Sequence, residues 1–467
     1  MKSPVQHTGR FASAVVAALL LAAAPACNGG LTEPLLEVID PDLILPSSVN
    51  SLAGARAVAT GALGRFRNAT AGAESMWMYG GLMTDEWATS STFVQNDETD
   101  QRKVQPQNTQ VTGFFRNINR VRTAANQAIP LLRQYDSTNT ALIAEMYFAR
   151  GFAEMQLAQD FCNGIPLSNA AGDEVVYDAP RTVAEVFAVA VASFDSAITI
   201  ASKLTDAQST LIANAAKVGK GRALMGLNRY ADAAAAVAGI PTTFKYQHTF
   251  SLTTSDNIIW NQGFSAKRYS VGDSIEGNNR DILVKNAIPF TSAQDPRLPV
   301  RDSKFSGAVT IGQDGGTVMR LTTIYDRLTS IDVVNGIDAR LIEAEAKLAA
   351  GDITGWLATL NGLRNGPGRV TTLGTVTVPS MPNLVDPGNT AARVSLTFRE
   401  KAFWTFSRGQ RLGDLRRLIR QYGRAATDVF PEGVHFKAGT YGTDVNFPVV
   451  TDEENNPNFK GCIDRKA

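Results

Sequence analysis

The stretch that most constrains this chain runs from Ile337 to Gly366, IDARLIEAEAKLAAGDITGWLATLNGLRNG. It predicts two helices joined by one tight turn. In the first, Leu341, Ala344, Glu345 and Leu348 fall at i, i+3, i+4 and i+7 and so share a face. Alanines at 344, 346, 349 and 350 let a neighbouring helix approach closely. Gly351 is free to take the left-handed conformation that ends a helix, and Asp352 is placed to accept the free N–H groups that open the next. The second helix sets Ile353, Trp356, Leu357, Leu360 and Leu363 along one stripe. A hairpin cannot bury both stripes alone, so it has to stack on others, which is the logic of helical repeats.

Residues 213–238 repeat the theme, with a turn at Gly226-Leu227-Asn228 and a second helix from near Tyr230. Their Ala-Leu-x-Gly-x-x-x-Tyr-x-x-Ala spacing is similar to the tetratricopeptide signature, in which small residues sit at the closest helix contacts. A third hairpin is expected within 140–200. It combines a helix from Thr140 to Phe161, carrying Tyr147, Phe148, Phe152 and Met155, with one that follows a Thr182 cap. Further helices are expected from a Ser47 or Ser48 cap to Asn68, over Gly113–Gln134, and within 389–422. Between the clear hairpins, 240–336 holds short β-leaning runs divided by Gly, Asn and Asp, and 367–388 is another loop. The expected fold is mainly α. Tetratricopeptide-like hairpins form a scaffold over 47–239 and 337–430, with a loop-rich, short-strand insertion at 240–336, all in one domain, 47–467.

The N-terminus reads as an export signal. Lys2 and Arg10 precede an apolar run from Phe11 to Ala24, then Ala-Pro-Ala and Cys27. A cysteine directly after small residues is the pattern of a bacterial lipoprotein, although Ala24 stands where the lipid-attachment motif usually has leucine. The expectation is a signal peptide over 1–26, a lipidated Cys27 and a Pro-rich tether to residue 46, with the membrane reached through the lipid alone. After residue 26 no stretch is apolar for the ~20 residues a spanning helix requires. The formal net charge of +1 gives no electrostatic footprint for nucleic acid. Cys162 and Cys462 remain; in an exported chain they are either a disulfide or two buried thiols.

Several motifs resemble the SusD/RagB family of outer-membrane nutrient-binding lipoproteins, in the family's order and over most of the chain. They are YFARGFAEMQLAQDFCNGIPLS at 147–168, DPRL at 295–298, EAEAKLAAGD with LNGLRN inside 343–365, EKAFWTFSRGQRLGDLRR at 400–417, and FPVVTDEENNPNF at 447–459. Trp404 and Arg408 depart from the family pattern, which commonly has glutamates there. The resemblance implies a SusD-like fold and a lipid-anchored position at the cell surface. It also implies capture of an oligosaccharide or related nutrient, delivered to a SusC-like TonB-dependent transporter, with no catalysis and no cofactor. Cys162 and Cys462 each lie beside one of these motifs, so if the motifs meet, a Cys162–Cys462 bond follows.

Ligand residues are sought among aromatics with polar or glycine neighbours, because rings on loops stack on sugar faces while Asp, Asn and Arg bond hydroxyls. Trp87 and Trp260 lead that set, followed by Tyr269, Trp77 and Tyr79, each with packing against the scaffold as its competing role. Trp356 and Trp404 lie on helix stripes and are expected in the core. Asp97, Glu98 and Asp100 lack the glycine of a calcium loop and read as a solvated face. GQDGG at 312–316 reads as a hairpin turn, and Arg411, Asp414 and Arg417 as ion pairs along one helix. Two other functions stay open: a tetratricopeptide scaffold that binds only protein, and a helical glycoside hydrolase. For the latter, Asp85 and Glu86 beside Trp87 are the sole suggestive carboxylates. The three histidines show no metal-ligand spacing.

Overall fold

The computed structural model describes residues 49–72, 75–169, 175–303, 307 and 309–467. The expected signal peptide, the tether with Cys27, and the cap candidates Ser47 and Ser48 lie outside these residues. In chain order the helices are α1 (Leu52–Ala71), α2 (Met76–Leu82), α3 (Val94–Asp100), α4 (Thr109–Tyr135), α5 (Thr140–Asp160), α6 (Val183–Ala201) and α7 (Ala207–Gly226). They continue with α8 (Tyr230–Val237), α9 (Ile258–Trp260, running into a π turn), α10 (Gly336–Ala349), α11 (Ile353–Asn365), α12 (Thr390–Trp404) and α13 (Arg411–Arg420).

Local chemistry fixes the hairpin of α10 and α11. Asn335 and Asp338 form a capping box at its start, Gly351 has φ +79°, and Asp352 Oδ1 accepts the Gly355 N–H at 2.8 Å. Leu341, Ala344, Glu345, Trp356, Leu360 and Leu363 are buried. The same logic yields antiparallel partners α7 with α8 and α5 with α6, the latter opening on a Thr182–Glu185 capping box. A fourth pair, α1 with α4, joins segments that the sequence treats separately. α1 is capped by Ser51, whose Oγ accepts the Gly54 N–H at 3.0 Å. α6 is long and apolar enough by composition to cross a membrane, contrary to expectation. It packs between α5 and α7, burying Val186, Phe187, Ala190 and Phe194. Glycines make that packing possible. A Cβ at Gly219 would lie 2.5 Å from the Phe194 ring, and one at Gly226 the same distance from Phe187.

The strands are short and pair in twos. They are β1 (Trp87–Thr89) with β5 (Tyr269–Val271), β2 (Ile165–Pro166) with β3 (Pro180–Arg181), β4 (Lys245–His248) with β10 (Ile331–Asn335), β6 (Ile275–Glu276) with β7 (Ile282–Leu283), β8 (Val300–Asp302) with β9 (Arg320–Thr322), and β11 (Thr372–Leu373) with β12 (Val376–Thr377). The antiparallel pair β4–β10 clasps the two ends of the insertion together beside the stack. There the Gly336 N–H donates to the Phe244 carbonyl at 2.9 Å, and a side chain at Gly336 would collide with the Pro241 carbonyl.

Buried ion pairs bind the elements together around 400–417. Arg411 holds Asp85, Arg408 holds Asp338, Lys401 holds Asp414, and Arg417 holds Glu345. Arg297 and Asp295 of the DPRL motif meet Glu400, and the Arg297 guanidinium lies over Trp404, 4.8 Å from the ring centroid. The expected network along one helix is therefore chiefly a network between elements, since only Arg417 and Asp414, 3.5 Å apart, pair within α13. Desolvation of such charges is offset only when their donors and acceptors are matched this closely. Cys162 and Cys462 are joined by a disulfide where the 147–168 and 447–459 motifs meet; the Cys162 N–H donates to the Phe447 carbonyl at 2.9 Å. Residues Asn50–Ala467 make one compact unit.

Candidate functional site

The ligand-seeking aromatics are mostly core. Trp77, Tyr79, Trp87 and Tyr269 are at most 2% exposed, so no ring face is open to a ligand. Polar sequence neighbours do not signal a surface here, because Trp87, Tyr79 and Tyr269 find their hydrogen-bond partners inside the fold. Trp87 Nε1 donates to Ser407 Oγ at 3.1 Å, and the Tyr79 hydroxyl donates to Asn96, whose Nδ2 donates to the Tyr269 oxygen at 3.1 Å. Trp260 is half-buried beside Arg327, whose guanidinium lies 5.9 Å from its ring centroid. Trp356 and Trp404 are in the core, as their stripes predict.

Asp85 and Glu86 are buried too. Asp85 is held by both prongs of Arg411, and Glu86 accepts the Ser407 N–H at 2.8 Å. Burial pushes the Glu86 carboxyl up to about 8, opposed by that hydrogen bond and reinforced by the Asp85 charge. Two carboxylates committed to the interior this way face no common space for a sugar.

What the loops build instead is a cleft of about 720 Å³, within the range of small-ligand sites. Four segments supply it: Ser91, Thr92 and Asp97 around the start of α3; Gly277, Asn278, Asn279, Asp281 and Ile282 at the β6–β7 hairpin; Asp314 and Gly316 of the GQDGG turn with Thr317 after it; and Phe436 with Lys437 from the C-terminal loop. A hollow of about 590 Å³ on the helix stack is lined by alanines at α8 and α10 and by charged groups already committed: Arg229 to Asp232, Lys347 to Thr359, and Asp352 to the cap of α11.

Lys437 fastens three of the four segments. Its Nζ donates to Ser91 O at 2.8 Å and Asp97 Oδ1 at 2.9 Å, and lies 3.2 Å from Asp314 Oδ2. Asn278 stitches the fourth, donating to Gly316 O and accepting the Val318 N–H, both at 2.9 Å. Asp314 also accepts from the N–H groups of Gly316 and Thr317 and from the Thr317 hydroxyl. Burial raises its pKa, but those hydrogen bonds and Lys437 outweigh it and hold the carboxyl below the usual range. Beneath the cleft, Glu276 pairs with Arg320, and Arg280 turns inward to Asp273. His435 is buried with Nε2 3.2 Å from Asp100 Oδ2, and its ring lies 4.8 Å from that of Phe436. The 97–100 segment is thus no solvated face: Asp100 is buried and Asp97 is paired.

The site offers a half-buried aromatic ring, exposed Asn279 and Asp281, and the hydroxyl of Thr92, a set suited to polyhydroxylated ligands. Among the described residues no three His, Cys, Asp or Glu side chains come together as a metal cage. Phe436 is the residue that sequence reading missed. Its setting, His-Phe-Lys-Ala-Gly, meets the criterion applied to Trp87, but it lies in a tail with no periodicity to mark it as structured.

No family model and no curated protein matches the chain by sequence. Solved structures match by fold. A SusD superfamily protein from Bacteroides thetaiotaomicron superposes with a TM-score of 0.62 at 13% identity, over 89% of this chain and 100% of that one. One from Bacteroides vulgatus gives 0.59 at 14% identity, over 89% and 99%. A SusD-like carbohydrate-binding protein from Bacteroides fragilis gives 0.56 at 13% identity, over 88% and 99%. The helix stack with its clasped insertion is the SusD-like fold.

Proposed function

We propose that the chain is a cell-envelope nutrient-binding protein that captures oligosaccharides in the cleft between 91–97, 277–282, 312–317 and 436–437. The observation that carries this reading is the convergence of Phe436, Asn279 and Asp281 in a ligand-sized cleft built mostly from loops. The shared fold with the SusD-like carbohydrate-binding protein of Bacteroides fragilis supports it. The protein binds and releases, with no bond broken. Its N-terminal segment supplies export and a lipid on Cys27, placing it at the outer surface, and a SusC-like TonB-dependent transporter receives the bound glycan.

Calorimetry against an oligosaccharide panel tests the binding. The expected result is a ligand whose affinity falls at least about tenfold in Phe436→Ala and in Asn279→Ala, with Trp260→Ala unaffected. Loss in Trp260→Ala alone would move the site, and product formation from any oligosaccharide would replace binding by catalysis. Co-purification with a large β-barrel protein, and release from membranes in Cys27→Ser, are the expected outcomes for partner and anchor.

A further inference from the structure

The lining of the cleft has a marked charge character. Three carboxylates, Asp97, Asp281 and Asp314, face one cation, Lys437, which leaves two net negative charges. Lys437 has no donor to spare. Its ammonium carries three N–H groups, and Ser91 O, Asp97 and Asp314 stand at all three. Nearby arginines are engaged elsewhere: Arg280 with Asp273 and Asp302, Arg320 with Glu276, Arg268 over the Phe93 ring. Lys103 and Lys267 adjoin the neighbouring loops, through contacts at 439–442 and 313, without lining the cleft.

Recognition of a sugar carboxylate or sulfate draws on arginine forks or free ammonium groups, which hold such anions at two oxygens or as a point charge. This lining has neither. An anionic sugar entering it would shed water beside like charges, whereas a hydroxyl or an ammonium group finds acceptors in Asp281 and Asn279. We infer that the cleft takes glycans of neutral and amino sugars and turns away those bearing uronic acid or sulfate groups. The inference rests on the glycan-binding reading above and gives it a substrate class.

The test uses the mature chain and oligosaccharides in matched pairs, such as agarose with carrageenan fragments and xylo-oligosaccharides without and with glucuronate, together with chitosan fragments. Affinities are measured at about 20 mM and about 500 mM salt, where screening lengths differ several-fold. The expected result is binding by neutral or amino members, with the acidic partner at least about tenfold weaker at low salt. That gap should narrow at high salt and in Asp281→Asn. Equal or tighter binding of an acidic partner, lost in Phe436→Ala, would overturn the charge selection and leave glycan binding standing. Binding by no member, or binding indifferent to Phe436→Ala and Asn279→Ala, would overturn the site and the selection together.

Discussion

Arg411 and Asp85 meet edge to edge, at 2.6 and 2.7 Å, with both side chains buried. Asp85 also accepts the Ile288 N–H at 2.8 Å, so one carboxylate ties α13 to two loop segments. Truncating it to alanine strands a buried guanidinium. Asp85→Ala is expected to cost about 3–5 kcal/mol in urea unfolding, with Asp85→Leu/Arg411→Met less damaged than the single change. Glu86 makes a pH prediction. Folded, it keeps its proton up to about pH 8, whereas its ordinary value is 4.5. Between those values the folded state binds the extra proton, so this contribution to stability is full in acid and is lost as pH rises through about 8. Glu86→Gln keeps an acceptor for the Ser407 N–H, so the difference in urea midpoint between variant and wild type should grow from about pH 5 to about pH 8. A constant difference would contradict the burial argument. The chain shows Asp85 and Glu86 as an adjacent acidic pair, but the arginine that settles Asp85 stands 326 positions away. That separation is why the pair reads from sequence as candidate catalytic carboxylates and in the fold as a structural contact.

Helical hairpins are legible from sequence because their signals are local: period, cap and turn lie within a dozen residues of one another. Hence α5, α6, α8, α10 and α11 arise where the local signals place them, and α7 starts at Ala207, ahead of the expected 213. The α1–α4 pairing and the ribbons β1–β5 and β4–β10 are not legible, because the partners stand far along the chain; Thr89 of β1 pairs with Tyr269 of β5, 180 positions on. Glycines on α7 add a constraint that periodicity does not show. Gly226→Ala would drive a methyl group into Phe187 and is expected to cost about 1–3 kcal/mol. Phe187→Leu in the same chain should recover part of that loss, since contacting positions couple. Thermal unfolding of the two single variants and the double variant checks this, and simple additivity would refute the proposed crowding.

For the molecule as a whole, the Cys162–Cys462 disulfide closes a loop of 300 residues between the end of α5 and the C-terminal tail. Chain-entropy reasoning sets its contribution on the order of 5 kcal/mol as an upper bound. Cys162→Ser with Cys462→Ser should therefore lower the unfolding midpoint measurably, and mass analysis after alkylation should differ between reduced and non-reduced protein. The loop-built cleft is the part the sequence conceals most, since its four walls come from segments as distant as Ser91 and Lys437. The β4–β10 clasp has a consequence for how such a protein can change over time. The chain departs from the helix stack and rejoins it at almost the same point, as Lys245 pairs with Asn335. Insertions and deletions at the exposed turns between those two strands need not shift α8 or α10, whereas the segments that carry Tyr269, Phe290 and Arg297 are fixed by the core. Inheritance can thus rework two of the cleft's four walls, 277–282 and 312–317, while the stack stays unaltered.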